Sequence, residues 1–350
     1  MALTRVELEN FTAFRSLQLD LSPGINVLVG ANGTGKTHLM KVCYAGCEAS
    51  RSPVDDFARK LAAVFLPSGH RLKRLVRRES GADGKATIRI CRGSLTLEQS
   101  FASRPRLVSL RPSTFASDEP EPEIGEWGHE PVESVYIPVK EMLSNAPGFR
   151  SLYAKREIHF EETYRDVLDR AYLPALRGPT DERREGLLTG LQKAVGGRVL
   201  VENEEFFLRS EEGEIEFSLL AEGVRKLALL WLLIRNGTLP SGSVLFWDEP
   251  ETNLNPKLFG VVVNTLLELQ RADVQEFLAT HDYVILKELD LRTTTADQVA
   301  FHALYRQEET GDVVCGSARS YRSIAPNTIA DTFADLYDRE TKRSLRGLAG

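Results

Sequence analysis

Three groups of residues in this 350-residue chain have the types and spacing that do chemistry on a phosphate chain. Gly30-Ala31-Asn32-Gly33-Thr34-Gly35-Lys36-Thr37 fits the pattern G-x-x-x-x-G-K-[ST]. In such a loop the backbone N–H groups of Gly30, Asn32, Gly33, Thr34 and Gly35 curl around a triphosphate, Lys36 reaches the β- and γ-phosphates, and the Thr37 hydroxyl ligates Mg²⁺. Ser243-Val244-Leu245-Phe246-Trp247-Asp248-Glu249-Pro250 is an apolar run that ends in two carboxylates. Asp248 suits a water-mediated hold on Mg²⁺, and Glu249 suits a base that orients the water attacking the γ-phosphate. His281 ends the apolar run from Val274, 281 − 249 = 32 residues after Glu249, where it suits a γ-phosphate sensor. The candidate catalytic residues are Lys36, Glu249 and His281; the expected ligands are ATP, and Mg²⁺ on Thr37 and Asp248.

These residues need strands that deliver them and helices that follow. Ile25–Val29 reads as a short buried strand before the glycine-rich loop, and His38–Glu48 as the helix after it. Ser218-Leu219-Leu220-Ala221-Glu222-Gly223-Val224-Arg225-Lys226 precedes an apolar helix over Leu227–Ile234, so a second helix N-terminus is offered to an anion. Glu251-Thr252-Asn253-Leu254-Asn255-Pro256 reads as a tight loop before another helix. Arg5–Phe11 and Phe14–Leu21 alternate as two strands; Ala86–Cys91 and Ser94–Glu98 read as a hairpin turning at Arg92-Gly93. A helix is expected over Asp55–Phe65, and Pro112–Glu133, rich in Pro, Glu, Asp and Gly, reads as a solvated loop. Ser134–Pro138 returns to strand; helices are expected over Phe160–Leu176 and Asp181–Val195, then short antiparallel strands from Arg198 to Phe217. Asn327–Leu345 has a helical pattern with Ile329, Phe333, Leu336 and Tyr337, suited to packing on its own domain or to docking a partner.

Composition bounds the class. With 42% hydrophobic and 27% charged residues the chain is expected to be an ordinary globular protein of one large or two modest domains. No run approaches the roughly 18 apolar residues of a membrane span, and the N-terminal stretch lacks the features of a signal peptide, so a cytoplasmic protein with no membrane contact is expected. The four cysteines make no disulfide framework; Cys43 and Cys47 read as buried thiols on the helix after the glycine-rich loop. A net charge of −6 excludes a surface basic all round, so contact with duplex DNA would need a local patch. Residues 70–78 supply one, with Arg71, Lys73, Arg74, Arg77 and Arg78 interleaved with apolar positions as in an amphipathic element.

In this order the pieces resemble the ABC-type ATPases, in particular the soluble branch containing RecF, SMC heads and OLD-like ATPases. Leu8, Asn10, Phe11 and Phe14 near the N-terminus, Asp248-Glu249-Pro250-Glu251 and Thr280-His281-Asp282 look most like the bacterial stand-alone OLD-like AAA/ABC ATPases, over roughly residues 3–285. The resemblance implies an α/β P-loop fold of the ABC-ATPase head type with an antiparallel β lobe and a helical lobe. As one head the chain divides into a β lobe and P-loop at 1–140 with an insertion at 51–134, a helical, signature-bearing lobe at 141–220, a core bearing Asp248, Glu249 and His281 at 221–290, and a C-terminal β/α segment at 291–350. It implies Glu249 as base, His281 as switch histidine, and a homodimer in which the signature of one subunit, with Gly223, closes over ATP held by the other.

Two departures bear on rate. Ala221 stands where the family signature has serine, leaving Gly223 N–H and the helix dipole, with Ser218 or Arg225 as substitutes. The usual glutamine after the Ser134–Pro138 strand is missing, and Lys140 or Glu141 takes its place. The roughly 75 residues between Glu141 and Ser218 are too few for long coiled-coil arms, and the 350 − 281 = 69 residues after His281 hold no paired-acid nuclease motif. The first expectation is an ATP-hydrolysing switch that controls a separate effector, a nuclease or toxin, in anti-phage defence. The alternative is a RecF-like DNA-binding ATPase of DNA repair or maintenance. A transporter subunit and an AAA+ ring ATPase fit the motif order less well.

Overall fold

The computed structural model describes residues 2–51, 57–78, 84–102, 126–155, 158–178 and 181–348. A hairpin of β1 (Arg5–Phe11) and β2 (Phe14–Asp20) leads through β3 (Ile25–Val29) to α1 (Lys36–Ala49) and α2 (Phe57–Phe65). A second hairpin, β4 (Lys85–Arg92) and β5 (Leu95–Ala102), completes an antiparallel sheet of order β2-β1-β4-β5. Its turn is Gly93-Ser94, one residue later than Arg92-Gly93, because Arg92 is fully buried inside the strand. The Arg92 guanidinium donates to the carbonyls of Trp127 (2.9 Å) and Glu130 (2.6 Å) and lies over the Trp127 ring.

Much of the stretch read as a solvated loop, 112–125, lies outside the described residues, as do the first two residues, 55 and 56, of the expected Asp55–Phe65 helix. The remainder of the loop corrects that reading. Trp127 and Val132 are buried, and Trp127 Nε1 donates to the carbonyl of Gly46 on α1 across 2.9 Å.

β6 (Ser134–Ile137) is followed by α3 (Phe149–Ala154), α4 (Glu162–Ala171), α5 (Glu182–Val195) and a small antiparallel sheet of β7 (Arg198–Glu202), β8 (Glu205–Ser210) and β9 (Gly213–Glu216). Then come α6 (Glu222–Arg235), β10 (Val244–Asp248), α7 (Phe259–Arg271), β11 (Gln275–Thr280), α8 (Tyr283–Arg292), β12 (Val299–Arg306), β13 (Val313–Ala318) and α9 (Thr328–Leu348). α4 is shorter than the expected Phe160–Leu176 helix: its C-cap is Tyr172, two residues ahead of Pro174, which disfavours helix in the residue before it. Asp181 caps α5 through its side chain, as its position before the helical run predicts.

The central sheet has order β13-β12-β3-β11-β10-β6, all parallel except the edge strand β13. β3, β10 and β11 are buried at every residue, as central strands of a parallel sheet covered on both faces must be, although they carry the polar residues Asn26, Asp248, Gln275, Glu276 and Thr280. Alternate residues feed two cores. Leu245 and Trp247 pack with α6 and α7, while Val244 and Phe246 pack with α1 and the antiparallel sheet. Among the described residues no helix is long and apolar enough to cross a membrane. Cys43 and Cys47 are buried, and burial pushes the Cys43 thiol up to about 12. α9 packs on its own domain only at its start, where Phe333 stacks on Tyr283 with centroids 4.3 Å apart; residues 331–345 are exposed.

Candidate nucleotide-binding site

The parallel register gathers the candidate residues at one end of the sheet. Val29 lies opposite Thr280 and Asp248 opposite Ala279, so the loops after β3, β10 and β11 leave the sheet together. Crevices at the carboxyl ends of such strands are where α/β sheets bind ligands. Gly35 has φ +91°, and a Cβ there would stand 2.5 Å from the Phe14 ring, so β2 floors the glycine-rich loop and only glycine fits. Lys36 is buried and its Nζ donates to the carbonyls of Gly30 (2.7 Å) and Ala31 (3.2 Å). Burial lowers the Lys36 pKa, and Asp248, Glu249 and Glu251 oppose that shift. Among the described residues no carboxylate forms an ion pair with Lys36. A buried ammonium without a carboxylate partner, beside a loop whose Gly33 faces open space, fits an anionic phosphate chain.

Asp248 is buried at the end of β10 and is reached by two hydroxyls, Thr37 from α1 and Tyr136 from β6, the latter at 3.1 Å. Burial raises its pKa and both hydroxyls oppose the rise. A carboxylate hydrogen-bonded to the Thr37 hydroxyl is an oxygen donor set that fits Mg²⁺. Glu249, at φ +49°, turns out of the strand, with its N–H donating to Ala279. Its Oε2 accepts from Thr252 Oγ1 at 2.9 Å and its Oε1 lies 3.4 Å from His281 Nδ1. The base and the histidine expected from the sequence are thus neighbours.

Three residues that the sequence reading did not single out complete this region. Glu251 is buried and its Oε1 accepts from Thr280 Oγ1 (2.7 Å) and from the N–H of His281 (3.3 Å), fixing the turn that presents the histidine. Thr252 orients Glu249 and accepts, through its carbonyl, from Lys226 Nζ at 2.9 Å. Asn253 Nδ2 donates to Glu222 at 2.8 Å. A Cβ on Gly223 would stand 2.6 Å from the Asn253 carbonyl, so Gly223 lets α6 approach this loop within its own subunit. The Lys226–Thr252 contact joins positions 26 residues apart and has no local pattern. The polar stripe on α1 does have one: Lys41, Tyr44 and Glu48, at i, i+3 and i+7, meet Glu161 (2.5 Å), Asp166 (2.7 Å) and Arg170 (2.6 Å) at α4.

The remaining expectations divide. Ala221 is the N-cap of α6 with no side-chain hydrogen bond, and Ser218 is exposed nearby. Arg225 is turned inward: it pairs with the carboxylate of Glu141 and donates to the carbonyls of Phe217 (3.1 Å) and Leu220 (2.6 Å). Of the two candidates for the missing glutamine, Glu141 is buried on Arg225 and Lys140 is exposed. The basic segment is not one amphipathic element but two 3₁₀ turns, Ser68–His70 and Leu72–Leu75. Arg71, Lys73, Arg74 and Arg78 are exposed, whereas Arg77 is buried, donating to Ala13 O (2.7 Å) and Asp312 (2.9 Å). Arg77 is therefore corrected from a DNA contact to a strut between the antiparallel sheet and β13. Arg306, at the end of β12, donates to the Gly33 carbonyl at 3.0 Å and so braces the glycine-rich loop.

Comparison with known proteins places this geometry. Residues 123–287 match the family described as AAA domain, putative AbiEii toxin, Type IV TA system, and residues 1–47 match AAA ATPase domain. A crystal structure of an SMC head bound to the C-winged helix domain of ScpA superposes with a TM-score of 0.52, covering 92% of this chain and 99% of that one at 13% identity. The fold is that of an ABC-type P-loop ATPase head. The chain also matches the DNA replication and repair protein RecF of Pseudomonas paraeruginosa, 27% identical over 209 residues, which are 52% of this chain and 56% of that protein. RecF of Acidothermus cellulolyticus is 46% identical over 57 residues, 16% of this chain and 15% of that protein. These matches span about half of the curated relatives or less.

Proposed function

We propose that this protein is an ATP-hydrolysing switch that dimerises on ATP and controls a separate effector protein. The observation that carries this reading is the convergence of buried Lys36, the Thr37–Asp248 pair and the Thr252–Glu249–His281 group at one end of the sheet. Mg²⁺–ATP, when bound, supplies the electrophilic phosphorus and the charge that Lys36 and Asp248 meet. Lys36 and the loop N–H groups bind and orient, Thr37 and Asp248 hold the cation, and Glu249 accepts the proton of the attacking water. His281, beside Glu249, senses the γ-phosphate. The signature of one subunit, from Ala221 to Gly223, closes over the nucleotide of the other in a two-fold dimer. The resemblance to OLD-like ATPases and the toxin-related description of the matched family support anti-phage defence, with a nuclease or toxin as effector.

A second reading, a DNA-binding ATPase of repair or maintenance, is favoured by the RecF similarity and the exposed Arg71, Lys73, Arg74 and Arg78. ATP turnover measured with and without duplex DNA at two salt concentrations, with Glu249→Gln as the blank, separates the two. Stimulation by DNA that salt abolishes supports the second reading, since phosphate contacts release counterions. Turnover indifferent to DNA supports the first. Lys36→Ala that retains nucleotide affinity in calorimetry, or Glu249→Gln that stays monomeric in light scattering at saturating ATP, contradicts both.

A further inference from the structure

Strand β10, which ends in Asp248, has two neighbours, β11 and β6, and of these β6 sends a polar side chain to Asp248. Tyr136 sits opposite Phe246 in the β6–β10 pairing, two residues short of the carboxylate along the strand. Its ring is buried and wedged in an aromatic stack: Phe246 lies 6.3 Å away at an interplanar angle of 18°, and Tyr44 of α1 lies 5.5 Å away. That stack leaves the ring little freedom, so the hydroxyl is aimed by packing alone. It donates to Oδ2 of Asp248, which also has a side-chain hydrogen bond with Thr37.

We infer that Tyr136 is a positioning residue for the cation site, holding the Asp248 carboxylate so that its free electron pairs face the Thr37 hydroxyl and the ion between them. The inference rests on the nucleotide-binding reading of the site. A carboxylate at a strand end with one hydrogen bond can swing about its Cα–Cβ and Cβ–Cγ bonds; a second donor from a neighbouring strand removes that freedom before the cation arrives. Partners of this kind, one layer behind the ligands, typically change metal affinity by about 10–100-fold.

The test is Tyr136→Phe, which removes one oxygen and leaves the stack. Binding of a slowly hydrolysed ATP analogue is followed by calorimetry over a Mg²⁺ titration and in EDTA, with the thermal midpoint recorded alongside. The expected result is a half-saturating Mg²⁺ concentration raised about tenfold, with affinity in EDTA and the midpoint unchanged. Phe246→Leu, which loosens the stack that aims the hydroxyl, should lower the midpoint and also raise the half-saturating Mg²⁺ concentration. An unchanged Mg²⁺ dependence in Tyr136→Phe overturns the inference. So does a lowered midpoint with both affinities reduced, which assigns Tyr136 to packing. Wild-type protein that binds no nucleotide at all rejects the site reading itself, a result distinct from either.

Discussion

Thr252 Oγ1 donates to Glu249 Oε2 at 2.9 Å, and the carbonyl of the same threonine accepts from Lys226 Nζ on α6 at 2.9 Å. One residue therefore ties the orientation of the proposed base to the helix that begins the signature. Thr252→Val keeps the shape and removes the hydroxyl. It should lower kcat for ATP about tenfold with KM and thermal midpoint unchanged, as loss of a group that only orients the base predicts. An unchanged kcat would separate Thr252 from catalysis.

Ala221→Ser should act twice. α6 begins at Ala221 with no side-chain cap, so a serine hydroxyl supplies an acceptor for an orphan N–H of the first turn, worth about 1 kcal/mol in urea denaturation. In the proposed dimer the same hydroxyl would restore the group that the signature of the resembled ATPases presents to the partner's nucleotide, so turnover should rise. Stabilisation without faster turnover would confine the residue to capping.

Arg77 and its neighbours should part company. Arg77→Ala leaves Asp312 with one fewer partner and should cost about 3 kcal/mol. Replacing Arg71, Lys73, Arg74 and Arg78 with serine should leave stability within about 0.5 kcal/mol. If the protein binds duplex DNA in the presence of ATP, the second variant should flatten the dependence of log K on log salt, by about 0.9 for each DNA phosphate no longer neutralised. Filter binding over a salt series reads this.

Glu276, in the middle of β11, is fully buried, and burial raises its pKa well above the usual carboxylate range. The folded chain therefore holds the Glu276 proton to higher pH than the unfolded chain does, so between the two pKa values folding takes up a proton. Stability owed to this group is complete below the ordinary glutamate pKa and declines as pH rises from there toward the folded value. Glu276→Gln removes the decline. Urea midpoints of variant and wild type should converge near pH 4 and diverge upward, by at most about 1.4 kcal/mol per pH unit; parallel curves would refute the assignment.

The sequence made legible what local pattern encodes. The strands that became β3, β10 and β11 are apolar runs ending in chemistry-bearing residues, and the structure places their ends together. The limits of α4 and of the second hairpin were misjudged where one residue decided the outcome: Pro174 ended the helix, and a buried guanidinium kept Arg92 in its strand. The basic run at 70–78 misled because charge alone does not say which arginine has an internal acceptor; Arg77 finds Asp312, 312 − 77 = 235 residues away. Tyr136 and Lys226 escaped for the same reason, since each acts through a partner distant in sequence, whereas Thr252 meets Glu249 at a local i, i+3 spacing that carried no role in the motif.

β3, which delivers the glycine-rich loop, lies between β11 and β12. Neither neighbour exists on the ribosome until residues 275–306 have been made, so for most of its synthesis the strand has no hydrogen-bonding partner in its own sheet. The nascent chain must carry Ile25–Val29, an apolar segment meant for full burial, through that interval. The hairpin of β1 and β2 forms early and locally, and its Phe14 ring already packs where the loop will turn. The candidate nucleotide site is thus among the last parts of the molecule to come into being, and a truncated product of translation would hold the glycine-rich loop without the strands that flank β3.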